Sequence, residues 1–226
     1  MSKKKSGSNS RNVNARVKTA KGRKTSSILW LHRQLNDPYV QQAKRDGYRS
    51  RAAYKLIEMD EKFKLLSAGD KVVDLGCAPG GWAQVAVKKV GPKGKVVGVD
   101  LLEVEPVAGA DLFVLDFMQE DAPDIIKERL KGRAHLVMSD MAANTTGHST
   151  TDHIRIINLC ELAYHFATEI LAPGGAFICK VLKGGAEGEL LKQMKKDFAV
   201  VKHAKPSASR SDSAESYVVA TGFRKI

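Results

Sequence analysis

From Lys71 onward, short runs of β-branched and aliphatic residues alternate with longer stretches whose apolar positions recur every three or four residues. The runs at 71–75 (KVVDL), 95–99 (KVVGV), 112–115 (LFVL), 134–138 (AHLVM), 176–181 (AFICKV), 198–202 (FAVVK) and 216–220 (SYVVA) read as strands. Helices are expected between them, over 80–90, 120–131, 152–171 and 186–197. Alternation of strand and helix requires right-handed crossovers, and so a mostly parallel sheet covered on both faces. The final two runs are joined by residues 203–215, which carry no helical period. They should form an antiparallel hairpin, with the last strand running against the rest. The expected fold class is therefore α/β, with seven strands and helices on both faces.

Before Lys71 the pattern is helical or absent. Residues 50–64 place Ala53, Leu56, Ile57 and Phe63 near one face and predict a helix. Ile28 to Val40 is a short segment containing Trp30, Leu31 and Leu35, and Asn36-Asp37-Pro38 reads as a turn followed by a helix start. Residues 1–27 have no hydrophobic period and are rich in Ser, Asn, Lys and Gly. The expected division is a basic, disordered tail over 1–27 and a single folded domain over 28–226.

Charge sharpens that division. No acidic residue precedes Asp37, and residues 1–27 hold nine Lys and Arg, leaving +3 of the net +12 for the rest of the chain. Such a tail is either an arm for nucleic-acid phosphates or a solubilising segment. No apolar run approaches the roughly 18 residues of a membrane helix, and no apolar segment follows the basic start. A cytoplasmic protein without a membrane partner is expected. Cys77, Cys160 and Cys179 are widely spaced and form no CxxC, which argues against a disulfide framework or a metal site.

Candidate chemistry collects where the strands end. In open α/β sheets ligands bind beyond the carboxyl ends of the strands. The first strand runs into Asp74-Leu75-Gly76-Cys77-Ala78-Pro79-Gly80-Gly81-Trp82; the next three are followed by Asp100, Asp116 and Asp140. The fifth carries Lys180, and Glu215 precedes the last. Any one strand-end aspartate can be a cap or a turn former; three of them with a glycine loop and a lysine form a site. The glycines permit close approach of a nucleoside, Asp100 stands near the position of a ribose-binding acid, and Asp116 with Phe117 suits an adenine. The loop is not GxGxxG, and Pro79 and Trp82 should crowd the helix start where a pyrophosphate would sit, which favours a phosphate-free adenosine ligand over a dinucleotide. A lysine inside an otherwise apolar strand either snorkels to water or gives up its proton readily, as a general base must.

The stretches 47–58 (GYRSRAAYKLIE), 70–82 (DKVVDLGCAPGGW), 96–101 (VVGVDL), 137–141 (VMSDM), 177–183 (FICKVLK) and 209–219 (SRSDSAESYVV) resemble the FtsJ/RrmJ (RlmE) ribosomal RNA methyltransferase family in order and spacing. The resemblance implies a Rossmann-like methyltransferase fold dependent on S-adenosyl-L-methionine. It implies a Lys-Asp-Lys-Glu catalytic tetrad on Lys55, Asp140, Lys180 and Glu215, and cofactor contacts from Gly80, Trp82, Asp100, Asp116 and Asp140. The implied reaction is methylation of a ribose 2′-hydroxyl of large-subunit (23S) ribosomal RNA, at an A-loop uridine of the assembled subunit, by a monomer. Ala143 departs from the proline the family often carries there. Other readings remain: a transfer-RNA or messenger-cap 2′-O-methyltransferase, a non-catalytic RNA-binding assembly factor, and a nicotinamide dehydrogenase, which the absent GxGxxG disfavours.

Overall fold

The computed structural model describes residues 25–142, 147–182 and 188–225. Residues 1–24 of the expected tail, Ala143, Lys183 and the predicted helix start at 186–187 lie outside the described residues. Two helices come first, α1 (Thr25–Asn36) and α2 (Pro38–Asp46). Asp37 caps α2 by accepting from the Tyr39 N–H at 3.0 Å, with Pro38 in the first turn and Gly47 closing the helix in the left-handed region. Because α1 starts at Thr25, the last three residues of the expected tail are helical.

The α/β part follows as α3 (Ala52–Phe63), β1 (Lys71–Leu75), α4 (Gly81–Val90), β2 (Lys95–Asp100), β3 (Ala110–Val114), α5 (Ala122–Leu130), β4 (Ala134–Ser139), α6 (Ser149–Ile170), β5 (Leu171–Leu182), α7 (Gly188–Asp197), β6 (Phe198–Ala204) and β7 (Glu215–Phe223). The strand order is β3-β2-β1-β4-β5-β7-β6. All neighbours among the first five strands are parallel, while β7 is antiparallel to both β5 and β6.

Strand periodicity assigns side chains to two apolar layers. Val73, Val97, Val137, Phe177 and Val218 pack beneath α5, α6 and α7. Val72, Val96, Leu136, Ile178 and Val219 pack beneath α3 and α4. Both faces are covered, which is why these strands read as continuous apolar runs. Beside β1 the chain turns from winding toward β3 to winding toward β5. That reversal opens a crevice at the carboxyl ends of β1 and β4. Four strands differ most from expectation. β3 begins two residues earlier, β6 and β7 run longer, and β5 starts at Leu171, paired with Ala134, because α6 leads directly into it. The three cysteines are free and buried, and among the described residues no helix is long and apolar enough to cross a membrane.

Candidate active site

Strand parity decides where Lys180 points. It follows Ala176 and Ile178 on β5, so it belongs to the face covered by α3 and α4, and its register partner across β7 is Tyr217. On that face α3 delivers Lys55. Asp140 directly follows β4, with its N–H donating to the Leu75 carbonyl at 3.2 Å. Glu215 opens β7, its Oε1 accepting from Ser209 Oγ at 2.9 Å and its N–H donating to Ser213 Oγ at 3.1 Å. The four residues meet as two linked ion pairs. Lys180 Nζ lies 2.8 Å from Asp140 Oδ1 and donates to the Asp140 carbonyl at 2.7 Å. Lys55 Nζ lies 2.6 Å from Glu215 Oε1. The link is Tyr217, whose hydroxyl donates to Asp140 Oδ1 at 2.7 Å and accepts from Lys55 Nζ at 3.0 Å.

Burial makes these contacts matter. Lys55 and Lys180 are 8% and 9% exposed, so their charges need partners, and each has one. Burial alone would push the Asp140 carboxyl up. Lys180, then Lys55, and the bonds from Lys180 and Tyr217 outweigh it and hold Asp140 below the usual carboxylate range. Tyr217 moves far the other way, through burial and the Asp140 and Glu215 charges, and stays a phenol able to donate. Beneath them Asp74 is 1% exposed, and the nearest donor to its carboxyl is the Ala83 backbone N–H. Burial, then the charges of Asp140 and Asp100, push it well above the usual range, which favours the neutral acid.

Two cavities flank this cluster. One, of about 430 Å³, lies beyond β1, β2 and β3, between Gly76, Asp100, Asp116, Phe117 and Met141, with α6 as the far wall. Asp100 uses Oδ2 on the Ala78 N–H at 2.9 Å and Oδ1 on the Leu102 N–H at 3.0 Å, which locks the β1 and β2 loops together. Asp116 Oδ1 accepts from the Met118 N–H at 2.9 Å. Phe117 stands edge-on to Phe166, 5.5 Å between centroids. An apolar cleft of this size with two carboxylates at its edge fits an adenosine-sized ligand. Gly80 and Trp82 sit one layer back. The Gly80 N–H bonds the Cys77 carbonyl at 2.6 Å, and the Trp82 indole is core, donating to the Ala52 carbonyl at 2.8 Å. The side chain crowding the start of α4 is therefore not Trp82 but Ser50, whose Oγ would stand 2.6 Å from a Cβ at Gly81. The second cavity, of about 500 Å³, is polar and opens onto Lys55, Asp140 and Glu215, with Arg33, Arg51 and Arg210 around it. The glycine loop and the Asp140–Ala142 strip border both cavities.

Residues 48–223 match the FtsJ-like methyltransferase family. The chain belongs to that family. The curated ribosomal RNA large subunit methyltransferase E of Paramagnetospirillum magneticum is 63% identical over 220 residues, covering 95% of this chain and 90% of its own. The protein of the same name from Parvibaculum lavamentivorans is 58% identical over 224 residues, covering 95% and 88%. Among solved structures, a protein described as a ribosomal RNA methyltransferase from Plasmodium falciparum superposes with a TM-score of 0.71 at 29% identity, over 79% of this chain and 100% of its own.

For this FtsJ-like chain, the structure unites the four expected tetrad residues and places Asp100 and Asp116 on one cleft. Three contributors went unread in the sequence. Tyr217 sits in an apolar run that signals core, and Asp74 sits inside the glycine-loop motif. Arg49 donates to the Pro79, Glu105 and Pro106 carbonyls at 3.2, 2.5 and 2.7 Å, pinning the loop beside Gly80 to the one after β2. Only the register of Tyr217 against Lys180, invisible without pairing, would have flagged the first.

Proposed function

We propose that the chain transfers a methyl group from S-adenosyl-L-methionine to a ribose 2′-hydroxyl of large-subunit (23S) ribosomal RNA, at an A-loop uridine of the assembled subunit, acting as a monomer. The observation that carries this is the pair of adjoining cavities divided by the Asp140–Ala142 strip: one apolar and nucleoside-sized, the other polar and lined by Lys55, Asp140 and Glu215 of the tetrad. The names of the two curated relatives, both large-subunit ribosomal RNA methyltransferases, supply the substrate class.

S-adenosylmethionine, when bound, supplies a methyl group on a sulfonium that a nucleophile displaces in line. Asp100 would hold the ribose of that ligand, Asp116 the adenine amino group, and Phe117 the ring. Gly80 and Trp82 support that cleft from one layer back, at the start of α4. Asp140 lines the polar cavity and the next two residues, Met141 and Ala142, line the apolar one, which places Asp140 to orient both reactants. Lys180, fixed by the Asp140 carboxylate and carbonyl, is the group assigned to the attacking hydroxyl. As an ammonium it holds the 2′-oxygen; as the neutral amine it takes the proton when the oxygen–carbon bond forms. Lys55 and Tyr217 keep Asp140 ionised and in place, and Glu215 holds Lys55 beside it. Alignment of two reactants across one wall contributes more than proton removal alone, up to about 7–11 kcal/mol.

The deciding experiment supplies purified protein and tritiated S-adenosylmethionine to large subunits from cells lacking the gene. Label is expected in 23S RNA, in an alkali-resistant dinucleotide that maps to the A-loop. Label confined to transfer RNA or to capped messenger RNA would replace the substrate assignment, and label on a base would overturn the 2′-hydroxyl.

A further inference from the structure

The charges around the acceptor cavity pair off with one left over. Lys180 faces Asp140, Lys55 faces Glu215, and Arg33, well exposed, lies 3.7 Å from Asp212 as an ion pair without a hydrogen bond. Asp37 remains, and two arginines share it. Arg51 occupies Asp37 Oδ2 with Nη1 and uses Nη2 on the Ala208 carbonyl. Arg210 reaches the same oxygen only at 3.8 Å through Nε, too far for a hydrogen bond. Among the described residues the Arg210 guanidinium donates no hydrogen bond, although its side chain is only 30% exposed. A guanidinium carries five N–H donors in a planar fork. Here the fork borders the cavity that Lys55, Asp140 and Glu215 open onto, five residues before Glu215. Burial, then the Arg210 charge beside it, lower the Arg51 guanidinium from its usual range, as expected where two cations crowd one carboxylate.

We propose that Arg210, braced by the Arg51–Asp37 pair, is a seat for a phosphodiester of the acceptor strand next to the reacting ribose. The inference rests on the reading of the chain as an RNA ribose methyltransferase and adds a named contact to it. A phosphate is the ligand that fits. It is planar-fork compatible through two oxygens, it neutralises the surplus charge, and it lies within one nucleotide unit of any 2′-hydroxyl. The seat fixes the strand while leaving the base unread, so it orients the acceptor without selecting its identity. Arg210 is thus a positioning residue.

The test compares wild type, Arg210→Gln and Arg210→Lys on unmodified large subunits over a range of salt, with S-adenosylmethionine binding and melting temperature measured in parallel. Arg210→Gln should raise KM for the subunit about tenfold, the scale of one charge-assisted hydrogen bond. It should flatten the log KM against log salt slope by about 0.7–0.9, one phosphate's share. The rate at saturating subunit should stay within about twofold. Arg210→Lys should recover the salt slope, since it keeps the charge, but only part of KM, since it lacks the fork. An unchanged KM and slope in Arg210→Gln overturns the proposal. So does a joint fall of donor affinity, saturated rate and melting temperature, which would make Arg210 a prop for the Asp37–Arg51 corner. If Arg210→Gln does not fold, the decision passes to Arg210→Lys: a KM equal to wild type removes the fork. Failure of wild type itself to label subunits would refute the substrate reading, a result distinct from any of these.

Discussion

Replacing Tyr217 by Phe removes one oxygen from the centre of the site and leaves the ring, which packs 5.8 Å from the Trp82 ring. Two bonds to charged groups disappear, one to Asp140 Oδ1 and one from Lys55 Nζ. Bonds of that kind are worth about 1.5–3 kcal/mol each. The sum is not lost, because Asp140 Oδ1 keeps Lys180 at 2.8 Å and Lys55 keeps Glu215 at 2.6 Å, so no buried charge is stranded. A total near one bond, about 1.5–3 kcal/mol, is the expected cost, and for a domain of this size it lowers Tm by about 3–12 °C. The catalytic effect has its own signature. Tyr217 is one of the groups holding Asp140 below the usual carboxylate range. An ionised Asp140 is available above its pKa and lost as pH falls through it, so removing the phenol shifts the acid limb of activity to higher pH. Single-turnover rates on large subunits, measured across pH, should show that shift together with a fall on the order of tenfold at the plateau, equivalent to about 1.4 kcal/mol. A folded Phe variant within twofold of wild type, with an unmoved acid limb, would refute the role given to the bridge.

Four further outcomes follow from the same geometry. Lys180→Ala should cut the single-turnover rate by about 10²- to 10⁴-fold while S-adenosylmethionine still binds by calorimetry; retention of more than about a third of the rate would remove Lys180 from the chemistry. Asp116→Ala should weaken donor binding by about 1–3 kcal/mol, the cost of an unmet polar partner, and equal affinity in a folded variant would detach Asp116 from the ligand. Asp74→Asn should raise Tm relative to wild type by an amount that grows above about pH 4. The wild-type carboxyl stays protonated when folded but ionises when unfolded, so its stability is full below the unfolded value of 3.8 and declines as pH rises; a Tm difference flat from pH 4 to 8 would contradict a neutral Asp74. Deleting residues 1–24, which hold nine positive charges and no acid, should raise KM for the subunit and flatten its salt dependence without changing the saturated rate; an identical salt slope would make the segment a passive one.

The strands were legible before pairing because both sheet faces are covered, which turns each into an apolar run bounded by polar turns. β1 falls at 71–75 in both readings. The start of β5 was hidden by Pro173-Gly174-Gly175, which reads as a turn. It is instead the passage by which α6 feeds the sheet, with Gly174 at φ +83° and Leu171 already paired to Ala134. The first helix was hidden for a different reason. Ile28, Leu31 and Leu35 do recur at helical spacing, but the segment follows directly on the unpatterned basic residues, and no described side chain of α1 is fully buried.

The site divides along a similar line. Residues at strand ends were readable because topology alone sends them to one rim, and Asp100, Asp116, Asp140, Lys180 and Glu215 all lie there. Lys55 was not readable that way. It comes from a helix before the sheet, 160 residues from Glu215, and only family resemblance pointed to it. Residues that act through partners were harder still. Tyr217 presents a hydroxyl to two ions, yet within SYVVA it has the signature of a core aromatic, and it is one. Its ring belongs to the packing of α3 and α4 on the sheet while its oxygen belongs to Asp140 and Lys55. Arg210 shows the converse. In sequence it is one arginine in a serine-rich loop. Only when each neighbouring charge has been matched to a partner does its half-buried guanidinium stand out as lacking a hydrogen bond among the described residues. Strand ends can be assigned one residue at a time, whereas a bridge or a surplus charge is a property of several residues together, so it appears only once distances are known.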